Sequence, residues 1–271
     1  EVRFFKLYTP IRAKKRVSKS LRSTQMQALL EEMMKGSLHL FRLLGINLEM
    51  HITFPLLLAW VCWQGYTQGG WLLVTFNALL LMGVFVCVIL HELGHSLAAR
   101  YYNIATRRIL LMPIGGMAEF EYIPRKPKQE LLITLWGPAV NLILVVLLYP
   151  FLLLMPDGWI HTYFTYIMYV NIAMGLFNLI PAFPMDGGRI FRALLARRKS
   201  YLEATRIASL LGKILSGIGI LVAGLYLKAP VLLFLCAFIY LAGHAEYRQV
   251  RRWQSLTQPT AIGRHPGHLS E

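Results

Sequence analysis

The sequence has little charge and very little acid. Of its 271 residues, 15% are charged, and 28 Lys and Arg stand against 13 Asp and Glu. A soluble domain usually carries about 25% charged residues, whereas this chain is 56% hydrophobic. The composition therefore argues against an ordinary water-soluble domain and predicts that lipid surrounds much of the chain.

Cysteine is also scarce. Cys62, Cys87 and Cys236 are scattered through apolar stretches without paired spacing, which excludes a disulfide framework and a cysteine metal motif. We interpret them as small buried hydrophobic residues. Residues 1–25 are basic and lack the apolar core of a cleavable signal peptide, so none is expected.

The net charge of +15 permits two interpretations, nucleic-acid binding or a membrane protein with basic cytoplasmic loops. The Lys and Arg residues stand at the ends of long apolar runs, as the positive-inside rule describes. This placement favours the membrane protein, and no nucleic-acid partner is expected.

Six apolar runs predict an all-α membrane protein of about six transmembrane helices. The runs are Ile52–Tyr66, Trp71–Ala99, Leu131–Leu154, Tyr163–Ala182, Ile207–Tyr226 and Pro230–Gly243. The first is short for a span. Strongly basic loops alternate with loops of little charge, so both termini are expected in the cytoplasm, which requires an even number of spans.

Three regions are predicted along the chain. Residues 1–45 form a basic amphipathic segment, helical over 24–44, on the cytoplasmic membrane surface, where Lys and Arg meet anionic headgroups. Residues 46–245 form the six-helix domain, and 246–271 a short flexible cytoplasmic tail. Arg108–Phe120 is too short to cross, and its central Gly115-Gly116 predicts a β-hairpin dipping into the cytoplasmic half of the membrane.

The second apolar run ends in the motif HELGH, residues 91–95. His91 and His95 are four residues apart, so on a helix both imidazoles lie on one face and can bind one zinc ion. Glu92 has the position of the carboxylate that takes a proton from the attacking water. Ionisable residues inside a membrane span are costly, and this favours a functional role over a polar packing contact.

A third protein ligand is usual for catalytic zinc, and Asp186 is the predicted one. Pro181 and Pro184 break the fourth run, and Gly187-Gly188 permits a tight turn, so Asp186 comes from an irregular segment. The loop charges make the second and fourth spans run in the same direction. His95 and Asp186 are therefore expected at the same membrane depth.

The pair of motifs HELGH and NLIPAFPMDGGR, residues 178–189, resembles the site-2 protease family of intramembrane zinc metalloproteases. The resemblance extends over about residues 46–245. It implies one zinc ion held by His91, His95 and Asp186, with Glu92 as the catalytic base. It also implies that Asn178 binds the substrate and the oxyanion, an interhelical hydrogen bond being the alternative role.

Two further elements resemble the family. WGPAVN, residues 136–141, is similar to its GPxxN element, so Asn141 is expected to face the site and contact substrate, with packing as the open alternative. The Gly-Gly hairpin is similar to a family element that holds substrate as an added strand, which implies that Gly115 and Gly116 bind substrate. No loop suits a PDZ domain and no tail suits CBS domains, so a compact form of the family is expected.

The expected function is cleavage of a membrane-embedded protein substrate, as in regulated intramembrane proteolysis. A membrane metal-ion transporter is one alternative, although no second copy of HELGH or PMDGG indicates the internal repeat that transporters often have. A non-catalytic membrane chaperone is another, although all four motif positions are present. The expected location is a prokaryotic plasma membrane, and the oligomeric state is left open.

Overall fold

A computed structural model describes residues 36–257, except residues 114, 123 and 125. Within that part, four strands and six helices follow one another along the chain. They are β1 Ser37–Leu43, β2 Ile46–His51, α1 Phe54–Tyr101, β3 Thr106–Met112, β4 Gly115–Phe120, α2 Pro127–Leu154, α3 Trp159–Asn178, α4 Asp186–Leu195, α5 Tyr201–Leu221 and α6 Pro230–Thr257. Residues 1–35 of the predicted basic segment 1–45 lie outside the described residues.

Four of the described helices are long and apolar enough to cross a membrane. They are α1, α2, α6 and α5 together with the π-helical turn Val222–Tyr226 that continues it. The chain is therefore an integral membrane protein. α3 is 20 residues long and carries several tyrosines, two threonines and the buried Asn171.

Helix α1 contains a reversal of the chain. Gly70 has φ 66° and lies in the left-handed region that favours glycine. A methyl group on Gly65 would lie 2.9 Å from the Cα of Val74, whereas residues nine apart in a straight helix are about 13.5 Å apart. The two parts of α1 thus fold back on each other. Each of the six predicted apolar runs therefore overlaps a helical segment of its own.

The four strands form one sheet in the order β1-β2-β3-β4. β2 and β3 are parallel, and the two outer pairs are antiparallel. The predicted hairpin is confirmed as β3 and β4, which pair from Met112↔Gly115 onward. It is half of a larger sheet, because residues 46–51 add a strand beside β3.

The predicted helix over 24–44 is wrong for residues 37–43, which form β1. Leu44 and Gly45 have φ of 51° and 86° and connect β1 to β2 as a tight hairpin turn. Strand pairing across this turn satisfies the backbone of 37–43. The apolar spacing that suggested a helix does not encode that pairing.

The sheet packs against the part of α1 that follows the reversal. Leu48, Ile109 and Leu111 from the sheet form a buried cluster with Phe85 and Val88 of α1. In a bilayer, close packing of such side chains stabilises the contact, because lipid is as apolar as the cluster itself. This cluster holds the edge strand β4 beside residues 91–95 of the same helix.

Two helices end at residues other than those predicted. α3 ends at Asn178 rather than Ala182, in advance of the two prolines. α6 continues past Gly243 to Thr257, so residues 246–257 are helical rather than a flexible tail. An apolar run marks where lipid contact ends, whereas this helix continues beyond it, and its Glu246 side chain there accepts a hydrogen bond from Arg192.

Candidate metal centre

His91 and His95 lie one turn apart near the end of α1, and both are buried. Their Nε2 atoms are 3.2 Å apart. The HELGH motif therefore presents both imidazoles to one point, as the helical spacing predicts.

Asp186 reaches the same point from a distant part of the chain. It is the first residue of α4, after the irregular segment 179–185 that follows α3. Its Oδ2 atom is 3.2 Å from Nε2 of His91 and 3.2 Å from Nε2 of His95. Three side chains that the sequence separates by up to 95 residues thus form a nearly equilateral triangle of ligand atoms.

This triangle has the dimensions of a zinc site. Ligand atoms about 2.0–2.1 Å from a tetrahedral zinc ion are about 3.3–3.4 Å from one another. The Nδ1 atom of His95 is 2.9 Å from the carbonyl oxygen of Ile133, which only accepts, so Nδ1 carries the proton and Nε2 presents a lone pair. Oδ2 of Asp186 is buried and has no hydrogen-bond donor in the described part of the chain. Lone pairs facing each other at this distance require a cation, so the residues present fit zinc.

Glu92 lies between the two histidines in sequence and faces the sheet. Its Oε2 atom accepts a hydrogen bond of 3.1 Å from the backbone N–H of Ala118 on β4. A methyl group on Gly116 would lie 2.8 Å from Cγ of Glu92, so only glycine allows β4 to lie this close to α1. The Glu92 carboxylate therefore contacts β4 at its outer edge, the edge that is not paired with β3.

Helix α2 passes over the two imidazoles at Gly137. A methyl group at this position would lie 2.3 Å from Nε2 of His95 and 2.7 Å from Nε2 of His91. Any side chain here would enter the space between the ligand atoms. The glycine of the GPxxN element thus leaves room for a metal ion.

The other predicted site residues have different surroundings. Asn141 is buried, and its Oδ1 atom is 2.5 Å from Nδ1 of His91. Its Nδ2 atom donates to Oδ1 of Asn171 over 2.9 Å. Asn178 ends α3 and is half-buried, while Gly115 lies at the turn into β4 with φ 137°. The structure thus shows Asn141 contacting a histidine, and its substrate contact stays a prediction.

Arg192, which the sequence interpretation did not single out, anchors the helix that carries Asp186. Its guanidinium is fully buried, donates to Glu130 of α2 and to Glu246 of α6, and lies 5.0 Å from the Phe183 ring centroid. Burial would lower the pKa of this guanidinium, but the two carboxylates outweigh burial and hold the pKa above its ordinary value. This ion network fixes α4 between two long helices.

Replacing Arg192 with methionine is expected to lower the free energy of unfolding by about 3–5 kcal/mol, because Glu130 is then left buried without its cation. Denaturant-induced unfolding in mixed micelles measures the change. Arg198→Met at an exposed position is the matched control, with an expected change within about 0.5 kcal/mol. Equal stability of the two variants would contradict an anchoring role.

The chain matches a known family over more than half its length. The profile of Peptidase family M50 matches residues 79–157 and 154–221. A zinc metalloprotease of Methanocaldococcus jannaschii is 39% identical over 220 residues, which are 80% of this chain and 62% of that protein. Stage IV sporulation protein FB of Bacillus subtilis is 29% identical over 183 residues, which are 65% of this chain and 62% of that protein. The chain thus spans about 62% of the length of these two relatives.

A solved structure shows the same fold. The site-2 protease from Methanocaldococcus jannaschii superposes with a TM-score of 0.59 and is 37% identical. The match covers 78% of this chain and 95% of that one. The helices and the sheet that surround the candidate metal centre therefore have a counterpart among solved proteins.

Proposed function

Because this chain belongs to the site-2 protease family, peptidase family M50, we propose that it is a zinc metalloendopeptidase. Its reaction is hydrolysis of a peptide bond in or near a transmembrane segment of a membrane-tethered protein, as in regulated intramembrane proteolysis. The observation that carries the proposal is the triangle of His91, His95 and Asp186 with Glu92 beside it.

His91, His95 and Asp186 hold one zinc ion in this proposal, through two Nε2 atoms and Oδ2. Zinc, when bound, supplies Lewis-acid activation of the attacking water. Glu92 takes the proton of that water and passes it to the departing amine. Its Oε2 accepts from Ala118, so Oε1 is the atom placed to move the proton.

Asn178 is the proposed donor to the oxyanion. It ends α3, eight residues before Asp186, at the start of the segment that leads to this ligand. Its amide N–H is a neutral donor, and such a group stabilises negative charge that develops on the carbonyl oxygen.

The edge of β4 is the proposed binding surface for substrate, and Gly115 and Gly116 belong to it. A transmembrane helix hides its peptide bonds in its own hydrogen bonds, so cleavage requires local unwinding. An added strand supplies replacement partners for the unwound backbone. The N–H of Ala118 lies on the uncovered edge, next to Glu92, where an added strand would bring its peptide bonds to the site.

We further propose that both termini are cytoplasmic and that the membrane is a prokaryotic plasma membrane. Exposed cations stand at the ends of α1 and α4 and at the start of α2, among them Arg100, Lys126 and Arg197. Such positions suit contact with anionic headgroups on one face of the bilayer.

A reconstituted cleavage assay tests the function. The protein and a membrane-tethered reporter are placed in the same liposomes, and fragment masses identify the cleaved bond. Removing zinc with a chelator is expected to stop cleavage, and adding zinc back to restore it. Cleavage that continues in zinc-free protein would contradict the proposal, and zinc flux without cleavage would favour a transporter.

A further inference from the structure

We propose that Asn141 and Asn171 form a directional relay of two amides that holds His91 in the tautomer a metal requires. The relay keeps the His91 proton on Nδ1 and leaves the Nε2 lone pair free at the candidate metal centre. Both asparagines are thus positioning residues that act through His91. The inference rests on the proposed zinc site and extends it to α3.

The relay is a chain of buried contacts across three helices. His91 of α1 contacts Asn141 of α2, and Asn141 contacts Asn171 of α3. The Nδ2 atom of Asn171 then donates to the carbonyl oxygen of Ile167 over 2.8 Å and lies 3.2 Å from Sγ of Cys87. Each asparagine is 1% exposed. Such burial favours a role inside the protein over substrate contact for Asn141.

The carbonyl of Ile167 sets the direction of the whole chain. A carbonyl oxygen only accepts, so the atom of Asn171 that faces it must be the NH₂ group. Oδ1 of Asn171 then faces Asn141 and requires a donor there, which is Nδ2 of Asn141. Oδ1 of Asn141 is left facing His91 and requires a donor, which is the N–H at Nδ1.

This direction holds however the two amides are first assigned. Turning Asn141 alone would place its NH₂ group against Nδ1–H of His91 and its oxygen against Oδ1 of Asn171. Turning both would place the Asn171 oxygen against the Ile167 carbonyl. Only one pattern satisfies every donor, because one end of the chain is a fixed acceptor.

His95 reaches the same state by a shorter route. Its Nδ1 is 2.9 Å from the carbonyl of Ile133 on α2. Ligating histidines commonly donate their other N–H to such a partner, and losing the partner typically weakens metal binding about 10–100-fold. The Nδ1 partner of His91 is a side chain, whereas that of His95 is a backbone carbonyl. Mutation can therefore remove the partner of His91.

The first test compares zinc affinities of Asn141→Leu, Asn171→Leu and the double variant by competition with a chelator at one pH. Each single change is expected to weaken zinc binding about 10–100-fold. The double variant is expected to bind no more weakly than Asn141→Leu, because Asn171 acts only through Asn141. Multiplying losses would overturn the relay.

Ser209→Ala is the matched control. Ser209 is also buried, and its hydroxyl donates to the carbonyl of Gly243 on α6, away from the three ligands. Its loss removes a buried hydrogen bond without touching His91. Unchanged zinc affinity in this variant, with thermal unfolding measured for all four proteins, separates the relay from a general loss of stability.

The second test reads the tautomer without metal or proteolysis. Nitrogen-15 chemical shifts of the His91 ring, assigned by comparison with His91→Gln, are expected to show the proton on Nδ1 in the metal-free native protein. In Asn171→Leu the shifts are expected to move toward a mixture, because Asn141 is then free to turn. A proton on Nε2 in the native protein, or an unchanged Nδ1–H in Asn171→Leu, would overturn the relay. Failure to find any proteolysis would leave both tests unaffected.

Discussion

Glu92→Gln is expected to lower the rate of peptide cleavage by at least about 10²–10⁴-fold. Glutamine has the same shape, and its carbonyl oxygen still accepts from the N–H of Ala118, where Oε2 of Glu92 now accepts over 3.1 Å. An amide cannot take a proton from water, so only the proton transfer is lost. Single-turnover cleavage of a membrane-tethered reporter measures the rate.

Two measurements make this result specific. Zinc content and the unfolding temperature of Glu92→Gln are expected to equal those of the native protein, since Glu92 is not part of the ligand triangle. Glu203→Gln on α5 is the control, because that carboxylate is exposed and accepts a hydrogen bond from Lys199. Native turnover in Glu92→Gln would remove Glu92 as the base.

Gly137→Ala is expected to abolish stoichiometric zinc binding, and cleavage with it. The added methyl group would lie 2.3 Å from Nε2 of His95 and 2.7 Å from Nε2 of His91, in the space between the ligand atoms. Both neighbours are ring atoms held at their Nδ1 ends by α2, so they cannot yield without losing those bonds. Metal analysis after dialysis against dilute zinc measures the effect.

Gly217→Ala on α5 is the matched control for Gly137→Ala. A methyl group there has open space around it, and alanine is the better helix former by about 1 kcal/mol. Full zinc content is expected in Gly217→Ala. If Gly137→Ala also retained one zinc per chain, the close approach of α2 would not govern the metal centre.

His91, Glu92 and His95 were predictable because they lie within a few residues of one another. His91 and His95 are related by one helical turn, and Glu92 follows from the same motif. Asp186 was predicted by a longer route, through loop charges that set two spans in the same direction. The structure brings its carboxylate to the histidines at 3.2 Å, in agreement with that expectation.

The residues that sequence reasoning missed are those whose partners are distant. Asn171 is a polar residue in an apolar helix, and such a residue often indicates function. The many tyrosines of the same helix make this indication hard to recognise in the sequence. Arg192 stands in the basic stretch between the fourth and fifth apolar runs, where loop charges predict a cytoplasmic loop, whereas its side chain is buried between Glu130 and Glu246. In both cases charge or polarity was visible and the partner was not.

By itself, the sequence determined that the chain is a membrane protein, that one helix carries two histidines on one face, and that a glycine-centred hairpin stands nearby. Those properties depend on hydropathy and on periodicity, which act over a few adjacent residues. Only the tertiary structure decided that residues 37–43 pair as a strand, that Gly137 clears the space between the imidazoles, and that Asn141 faces His91. These depend on which atoms from distant helices come within 3–4 Å of each other, and packing of the whole chain sets those distances.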